Sequence, residues 1–422
     1  MISRRTFLAT STLTALTTSA FVKKARGQSP KLRTAIIGCR NRGPQVAEDF
    51  HNSGYFIIKT LCDCDEEMLN KGAKSLSKKG IEPQNLEKDF RKVLDDKEID
   101  AVVIATPDHW HSLMAVMALD AGKHVYVEKP FSYNIFDGYA VIQKMKKHPN
   151  LVVAVGSQQR SGKHFQEAKA FIQSGGIGKI AFARAGIIHW REPLPRVPDS
   201  EPPKTLDYDM WTGPAPLKPY NRYKHHYNWH FIRDYGTGDT GNWGAHYLDI
   251  ILWFLNLDYP IRVHGTGGQF VTKDIKEFPD TQTNIIEYPE LTVVWELRLW
   301  SEYSPSAFAE FHGDNGSLII TRNGWKVYEK DGKKPPKNYP GSDIDVPHAE
   351  NFAKAIMGEA TLNAPAIDGH KTAVLCHLCN ISTILQRTIK FNPDTLTIEN
   401  DPEANSWVKR AYREPWNIEK YL

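Results

Sequence analysis

A strand pattern at Thr34–Gly38 runs without a linker into Gly38-Cys39-Arg40-Asn41-Arg42-Gly43, and a helical pattern begins near Pro44. A chain that turns from strand to helix over a glycine loop is committed to a parallel α/β unit, because the helix must cross over before the next strand can lie beside the first. Four further apolar runs, Phe56–Asp63, Ala101–Thr106, His124–Val127 and Leu151–Gly156, alternate with helical stretches. Residues 31–156 therefore predict an N-terminal Rossmann-type, doubly wound parallel sheet.

The glycine loop of such a fold is an anion site, since helix N-terminal amides point at it. Asp63 closes the second strand twenty residues past Gly43, where a carboxylate accepts hydrogen bonds from the ribose of a dinucleotide. The expected cofactor is NAD rather than NADP, whose extra phosphate Asp63 would repel. Arg40 replaces the middle glycine of G-x-G-x-x-G. Its side chain must either point away from a pyrophosphate or, with Arg42, fold over it. Gly38, Arg40, Asn41, Arg42, Gly43 and Asp63 form the first group of cofactor-binding candidates.

After the third long strand comes Ala105-Thr106-Pro107-Asp108-His109-Trp110-His111, then a helical pattern from Ser112 to Ala121. Thr106, Pro107, His109 and His111 are placed in a loop at the carboxyl edge of the sheet, where ligands bind in such folds. The two histidines either line that cleft or cap the following helix. The chain then reads Ala121-Gly122-Lys123-His124-Val125-Tyr126-Val127-Glu128-Lys129-Pro130. A lysine at the end of a strand can hold a hydroxyl and accept its proton if burial lowers its pKa. Lys129 is the first catalytic candidate, and Glu128 and Lys129 complete the expected cofactor wall.

This block resembles the A-G-K-H-V-x-x-E-K-P of the Gfo/Idh/MocA oxidoreductases, and the resemblance extends across essentially the whole chain after residue 27. It implies the same proton-handling role for Lys129, a cis peptide between Lys129 and Pro130, and a second, substrate-binding α+β domain. Over residues 157–390 the sequence predicts a helix at Ser161–Ser174 and strands at Ile180–Ile188, Ile261–Thr266, Thr283–Tyr288, Leu291–Leu299, Ala307–His312, Gly316–Thr321 and Trp325–Tyr328. Short links such as Pro289-Glu290 and Asp314-Asn315 suit hairpins, so this sheet is expected to be open and largely antiparallel. Arg191–Tyr220 is a proline-rich loop, Val346–Glu359 and His370–Thr388 read as helices, and residues 391–422 form a tail.

In Gly236-Thr237-Gly238-Asp239-Thr240-Gly241-Asn242, followed by His246 and Asp249, the last three polar residues recur at helical spacing and share a face. In members resembling inositol dehydrogenase an aspartate and, four residues later, a histidine flank the reacting carbon. The histidine corresponds to His246, whereas Asn242 stands where the aspartate would be. An amide holds a hydroxyl but takes no proton, which leaves the acid–base work to His246, Lys129 or Asp239. His189, Tyr235 and Trp243, in a region rich in tryptophan and histidine, are the substrate-binding candidates, because aromatic faces stack on sugar rings.

Residues 1–27 carry Arg4, Arg5, Lys23, Lys24 and Arg26 and no acid, with a weakly apolar middle from Leu8 to Val22. The adjacent arginines before Phe7-Leu8 read as a twin-arginine export signal cleaved near Gly27, which implies the twin-arginine machinery as a partner and a periplasmic or otherwise exported protein. The formal charge of the whole chain is +4, so the remainder carries −1. No nucleic-acid partner is expected. Nor is a membrane span, since no stretch reaches roughly 20 apolar residues. Five cysteines are an odd number and too few for a disulfide framework. No metal site is expected, because Cys376-x-x-Cys379 lies in a helical stretch without a second pair.

Together these readings point to an exported NAD(P)-dependent oxidoreductase that transfers hydride to or from a sugar or cyclitol hydroxyl carbon, with a retained cofactor. An NAD-dependent glycosidase acting by transient oxidation and elimination is the alternative. A non-catalytic sugar-binding protein on the same fold is the second, motivated by Arg40 and Asn242. Self-association is expected by resemblance alone.

Overall fold

The computed structural model describes residues 31–422. The export signal read at 1–27 lies outside the described residues. The first half is laid down as β1 (Leu32–Ile37), α1 (Arg42–Asn52), β2 (Phe56–Cys62), α2 (Glu66–Ser77), β3 (Asn85–Glu87), α3 (Phe90–Asp95), β4 (Ala101–Ile104), α4 (Asp108–Asp120), β5 (His124–Val127), α5 (Ile135–Lys147) and β6 (Val153–Val155). All six strands are parallel, in the order β3-β2-β1-β4-β5-β6. The order reverses between β1 and β4, and the crevice above their carboxyl ends is where an open α/β sheet binds its ligand. β4 is wholly apolar, and β1 and β5 end in buried apolar runs (Ala35–Ile37 and Val125–Val127), because helices cover both faces.

The second half adds α6 (Lys163–Gln173), β7 (Ile180–Ile188), α7 (Tyr208–Thr212), α8 (Gly238–Leu255), seven strands β8 to β14 (Arg262–Gly268, Thr281–Tyr288, Leu291–Arg298, Ala307–Gly313, Gly316–Thr321, Gly324–Glu329 and Lys337–Pro340), then α9 (Asp345–Ile356) and α10 (Ala366–Leu385). The eight-stranded sheet runs β14-β13-β12-β11-β7-β10-β9-β8 and is antiparallel except where β7 meets β10. The turns expected at Pro289-Glu290 and Asp314-Asn315 join β9 to β10 and β11 to β12. Helices α8 and α10 cover one face of this sheet, with Tyr247, Ile251, Val374 and Leu378 buried against Val293, Trp295 and Phe311. Cys376 and Cys379 belong to that packing. A Cβ on Gly244 would meet Cys376 Sγ at 2.8 Å, so the two helices approach as closely as a glycine allows.

The boundary at residue 156 separates the two sheets but not the two cores. Helix α9 returns to the first half, where Phe352 packs on Phe50 and Phe56 with ring centroids 6.0 and 6.1 Å apart. The tail returns as well, burying Trp416 and Ile418 against α3 and α4. The proline-rich stretch 191–220 is not wholly irregular, since Asp207 caps the short helix α7 by accepting a hydrogen bond from Met210 N–H.

Candidate active site

The loop between β1 and α1 lies open to the crevice. Gly38 has φ +98°, a conformation that a side chain rarely adopts. A Cβ on Gly43 would stand 1.8 Å from Gly38 O, so both glycines are dictated by close packing of helix on strand. Asn41 makes no side-chain cap to α1, which leaves the first-turn amides free for an anion. Asp63, just past β2, accepts hydrogen bonds from the backbone N–H of Cys39 (2.7 Å) and Asp65 (2.9 Å). Burial raises its carboxyl to about 6. The cleft extends past Met68, Phe90, Trp110, Met114 and Met210, an apolar wall that suits a flat aromatic base. Uncapped amides, Asp63 and this wall together fit NAD.

The other side of the cleft comes from the second half of the chain. Tyr227, Trp229 and His230 face the glycine loop, and Arg40 lies over the Tyr227 ring, 5.5 Å from its centroid. The segment before them is stitched to the end of β2: Glu66 N–H donates to Thr205 O at 3.0 Å, and Asp207 N–H to Cys64 O at 2.9 Å. A nucleotide in this cleft would therefore be overlaid by chain from both halves.

Lys129 follows β5, and its peptide bond to Pro130 is cis. Its ammonium donates to the backbone O of Asn242 at 3.1 Å and to the Asn242 side-chain oxygen. Burial lowers its pKa, against the opposing pull of Glu128 and Asp108. Asn242 Nδ2 donates in turn to Asp239 Oδ1 at 3.0 Å. Asp239 is clamped by Arg191 through a bidentate pair of 2.8 and 2.9 Å. Burial alone would raise this carboxyl, but Arg191, His189 and Asn242 hold it well below the usual carboxylate range. Asp239 is thus a fixed counter-charge, and proton acceptance there would cost the Arg191 pair.

One turn further along α8, His246 Nε2 accepts a hydrogen bond from Arg322 Nη2 at 3.1 Å, which puts its proton on Nδ1. Burial, then Arg322 and Lys129, press its pKa well below the ordinary histidine value. His246 is a neutral donor whose lone pair is already occupied, so Lys129 is the group with proton capacity. Trp243 lies between, 5.9 Å from His246 and 5.9 Å from His189 by ring centroid.

Several expectations change. His109 and His111 are not in a loop but in the first turn of α4, and both are buried. The His109 ring lies between Tyr235 O (3.3 Å) and Trp211 O (3.0 Å), and the His111 ring between Pro130 O (2.8 Å) and Thr106 O (2.9 Å), so a neutral ring donates its single N–H to one of its two carbonyls. They brace the cleft from behind. Tyr235 is likewise interior, packed on Trp211 and His109. Arg42 does not fold over a phosphate: its guanidinium pairs with Glu128 (2.8 Å) and Asp345 (3.2 Å), so Glu128 ties α1 to β5. Asp249 leaves the site for a buried pair with Arg160 at 2.8 Å. Thr106, Pro107, Gly38, Arg40 and Asn41 line the cleft, as does the edge of Arg42. Arg191 and Arg322 were not singled out from sequence. Only tertiary structure brings them to α8, although Arg191 stands two residues from His189, whereas His230 belongs to the histidine-rich region read there and does face the cleft.

Residues 32–175 match the profile described as an oxidoreductase family with an NAD-binding Rossmann fold, and residues 188–418 match the C-terminal alpha/beta domain of the same family. The chain belongs to the Gfo/Idh/MocA oxidoreductase family. Among its Gfo/Idh/MocA relatives, a myo-inositol 2-dehydrogenase of Thermotoga maritima is 29% identical over 182 residues, 43% of this chain and 49% of that protein. A glycosyl hydrolase family 109 protein of Shewanella pealeana is 24% identical over 162 residues, 37% of this chain and 35% of that one. The chain thus spans about half or less of the length of these relatives. A levoglucosan dehydrogenase solved with NADH and levoglucosan shares the fold, with a TM-score of 0.69 at 18% identity over 85% of this chain and 99% of that one.

Proposed function

We propose that this chain is an exported oxidoreductase that uses NAD to move a hydride to or from a hydroxyl-bearing carbon of a sugar or cyclitol, keeping its cofactor through the cycle. The observation that carries the reading is Lys129: a half-buried lysine of lowered pKa, beside the dinucleotide cleft, held by an amide rather than a carboxylate. NAD supplies the hydride acceptor when bound. In the oxidation direction Lys129 takes the hydroxyl proton, Asn242 and Asp239 keep its Nζ in place, and His246 Nδ1–H is the available donor to a second substrate oxygen. Sugar and cyclitol dehydrogenases among the relatives support the substrate class. The basic, acid-free residues 1–27 support export. Export in turn favours retention, because no free nicotinamide pool lies outside the cytoplasm, and the segment laid over the cleft supports it.

The glycosidase reading has one observation of its own. Among the described residues no carboxylate is hydrogen-bonded to Lys129, since Asn242 is an amide and Asp239 is locked to Arg191, and a family 109 glycosyl hydrolase stands among the relatives. A redox-neutral elimination needs the hydride returned rather than released. The test is to denature purified protein before and after incubation with sugars and glycosides and record the spectrum and mass of the released nucleotide. NAD converted to NADH by a free sugar supports the dehydrogenase. Release of a reducing sugar from a glycoside with NAD unchanged supports the glycosidase. Protein that neither holds nor binds NAD sinks both and leaves a binding module.

A further inference from the structure

Arg322 occupies the tight turn between β12 and β13, an exposed position where a cation ordinarily meets only water. Here its guanidinium reaches back over α8. It donates to the neutral His246 at 3.1 Å and lies over Trp243, 5.7 Å from the ring centroid. The neighbouring arginines each have an acid, Arg191 pairing with Asp239 and Arg42 with Glu128 and Asp345, while Lys129 is held by Asn242. Among the described residues no carboxylate pairs with Arg322. A guanidinium carries five donors in a rigid fork suited to a planar anion, and His246 uses one of them.

The placement gives Arg322 a role. His246 is four residues from Asn242, which holds Lys129 Nζ, so Arg322 and Lys129 approach one face of α8 about 6 Å apart along the helix. A six-membered sugar ring spans that interval. We infer that the substrate is an anionic sugar, whose carboxylate or sulfate ester docks on Arg322 while a ring hydroxyl meets Lys129. This rests on the sugar-directed reading above and specifies which sugars. Arg322 is then a specificity residue, and His246 and Trp243 aim it.

The test uses the NAD-loaded protein and sugars matched in stereochemistry: D-glucuronate, D-glucose 6-sulfate and D-glucose, with the corresponding galactose set. Dissociation constants are measured by calorimetry, and reduction of bound NAD is followed in the same samples. An anionic sugar is expected to bind about 10- to 100-fold tighter than its neutral partner, and Arg322→Gln to remove most of that ratio. The uronate and sulfate arms identify which anion is preferred. Arg322→Lys, which keeps the charge, should retain part of the ratio. Equal affinity for charged and neutral sugars, an equal loss of both in Arg322→Gln, or no binding by any member of either set overturns the inference. Preferential binding of an anionic sugar without reduction of NAD leaves it standing and counts against hydride transfer. Reduction by neutral sugars alone does the reverse.

Discussion

Lys129 donates to both carbonyl oxygens of Asn242, backbone and side chain. An amide dipole orients an ammonium but does not neutralise it, so burial wins and the lysine pKa falls. Asn242→Asp would set a carboxylate at the same place and favour the charged lysine. The pH at which bound NAD becomes reducible in a single turnover should move up by about one unit or more. An unchanged profile would remove Lys129 from the proton path.

Lys129→Arg keeps the charge but never the base, because a guanidinium stays protonated at any working pH. Single-turnover reduction should fall by about 10²- to 10⁴-fold. Affinity for NAD should change little, since Lys129 contacts α8 and does not line the cleft. A parallel collapse of NAD affinity, measured by calorimetry, would make Lys129 a cofactor ligand instead.

Gly43→Ala tests the glycine loop. Its Cβ would enter the space of Gly38 O, a backbone atom that cannot rotate away. The substitution should cost about 1–3 kcal/mol or more in urea unfolding and weaken NAD binding, because the first turn of α1 must shift. A stable variant with unchanged affinity would show that this turn does not hold the pyrophosphate.

Periodicity carried most of the architecture. β5, β7 and β12 are where the sequence places them, the other strands read from sequence differ at one or both ends by one or two residues, and the short edge strands β3 and β14 were not read at all. The site was legible where chemistry is local: the glycine loop, Asp63, Lys129, and Asn242 with His246 on one helix face. It was illegible where partners are distant in sequence. The choice between lining the cleft and capping α4 stayed open for His109 and His111 because the carbonyls their rings face, Trp211 O, Tyr235 O and Pro130 O, cannot be seen from residues 105–111. Arg322 reads as a solvated turn residue until β12 and β13 bring it over α8.

The tail is a structural part of the nucleotide site. Trp416 is 6% exposed and packs on Trp110 at 4.9 Å and Phe90 at 6.1 Å, and both of those line the cleft. Trp416→Ala should cost about 3–5 kcal/mol of stability in urea unfolding and loosen NAD binding in the same variant. Lost stability with intact NAD affinity would show that the apolar wall stands without the tail.

Acid should unfold this protein early. Burial holds His109 near 3 and His225, His348, His370 and His377 near 4, against about 6.5 in an unfolded chain. Each contributes stability that is complete above about pH 6.5 and is lost as the pH falls toward 4, because the unfolded chain binds the proton first. Asp49, Asp63, Asp108 and Asp137 work in the opposite sense. Burial raises Asp49 to about 7 and the other three to about 6, so the native state binds their protons first and gains stability as the pH falls from about 7 to 4. These five imidazoles, together with His230 and His246, which burial presses down in the same sense, outnumber the four carboxyls, so the net uptake on unfolding is positive and stability should decline through this window. Urea midpoints measured between pH 7 and 4 check the sign. Their decline should weaken in His348→Asn, which removes one of the five imidazoles, and a flat series would mean that these histidines are already protonated in the native fold.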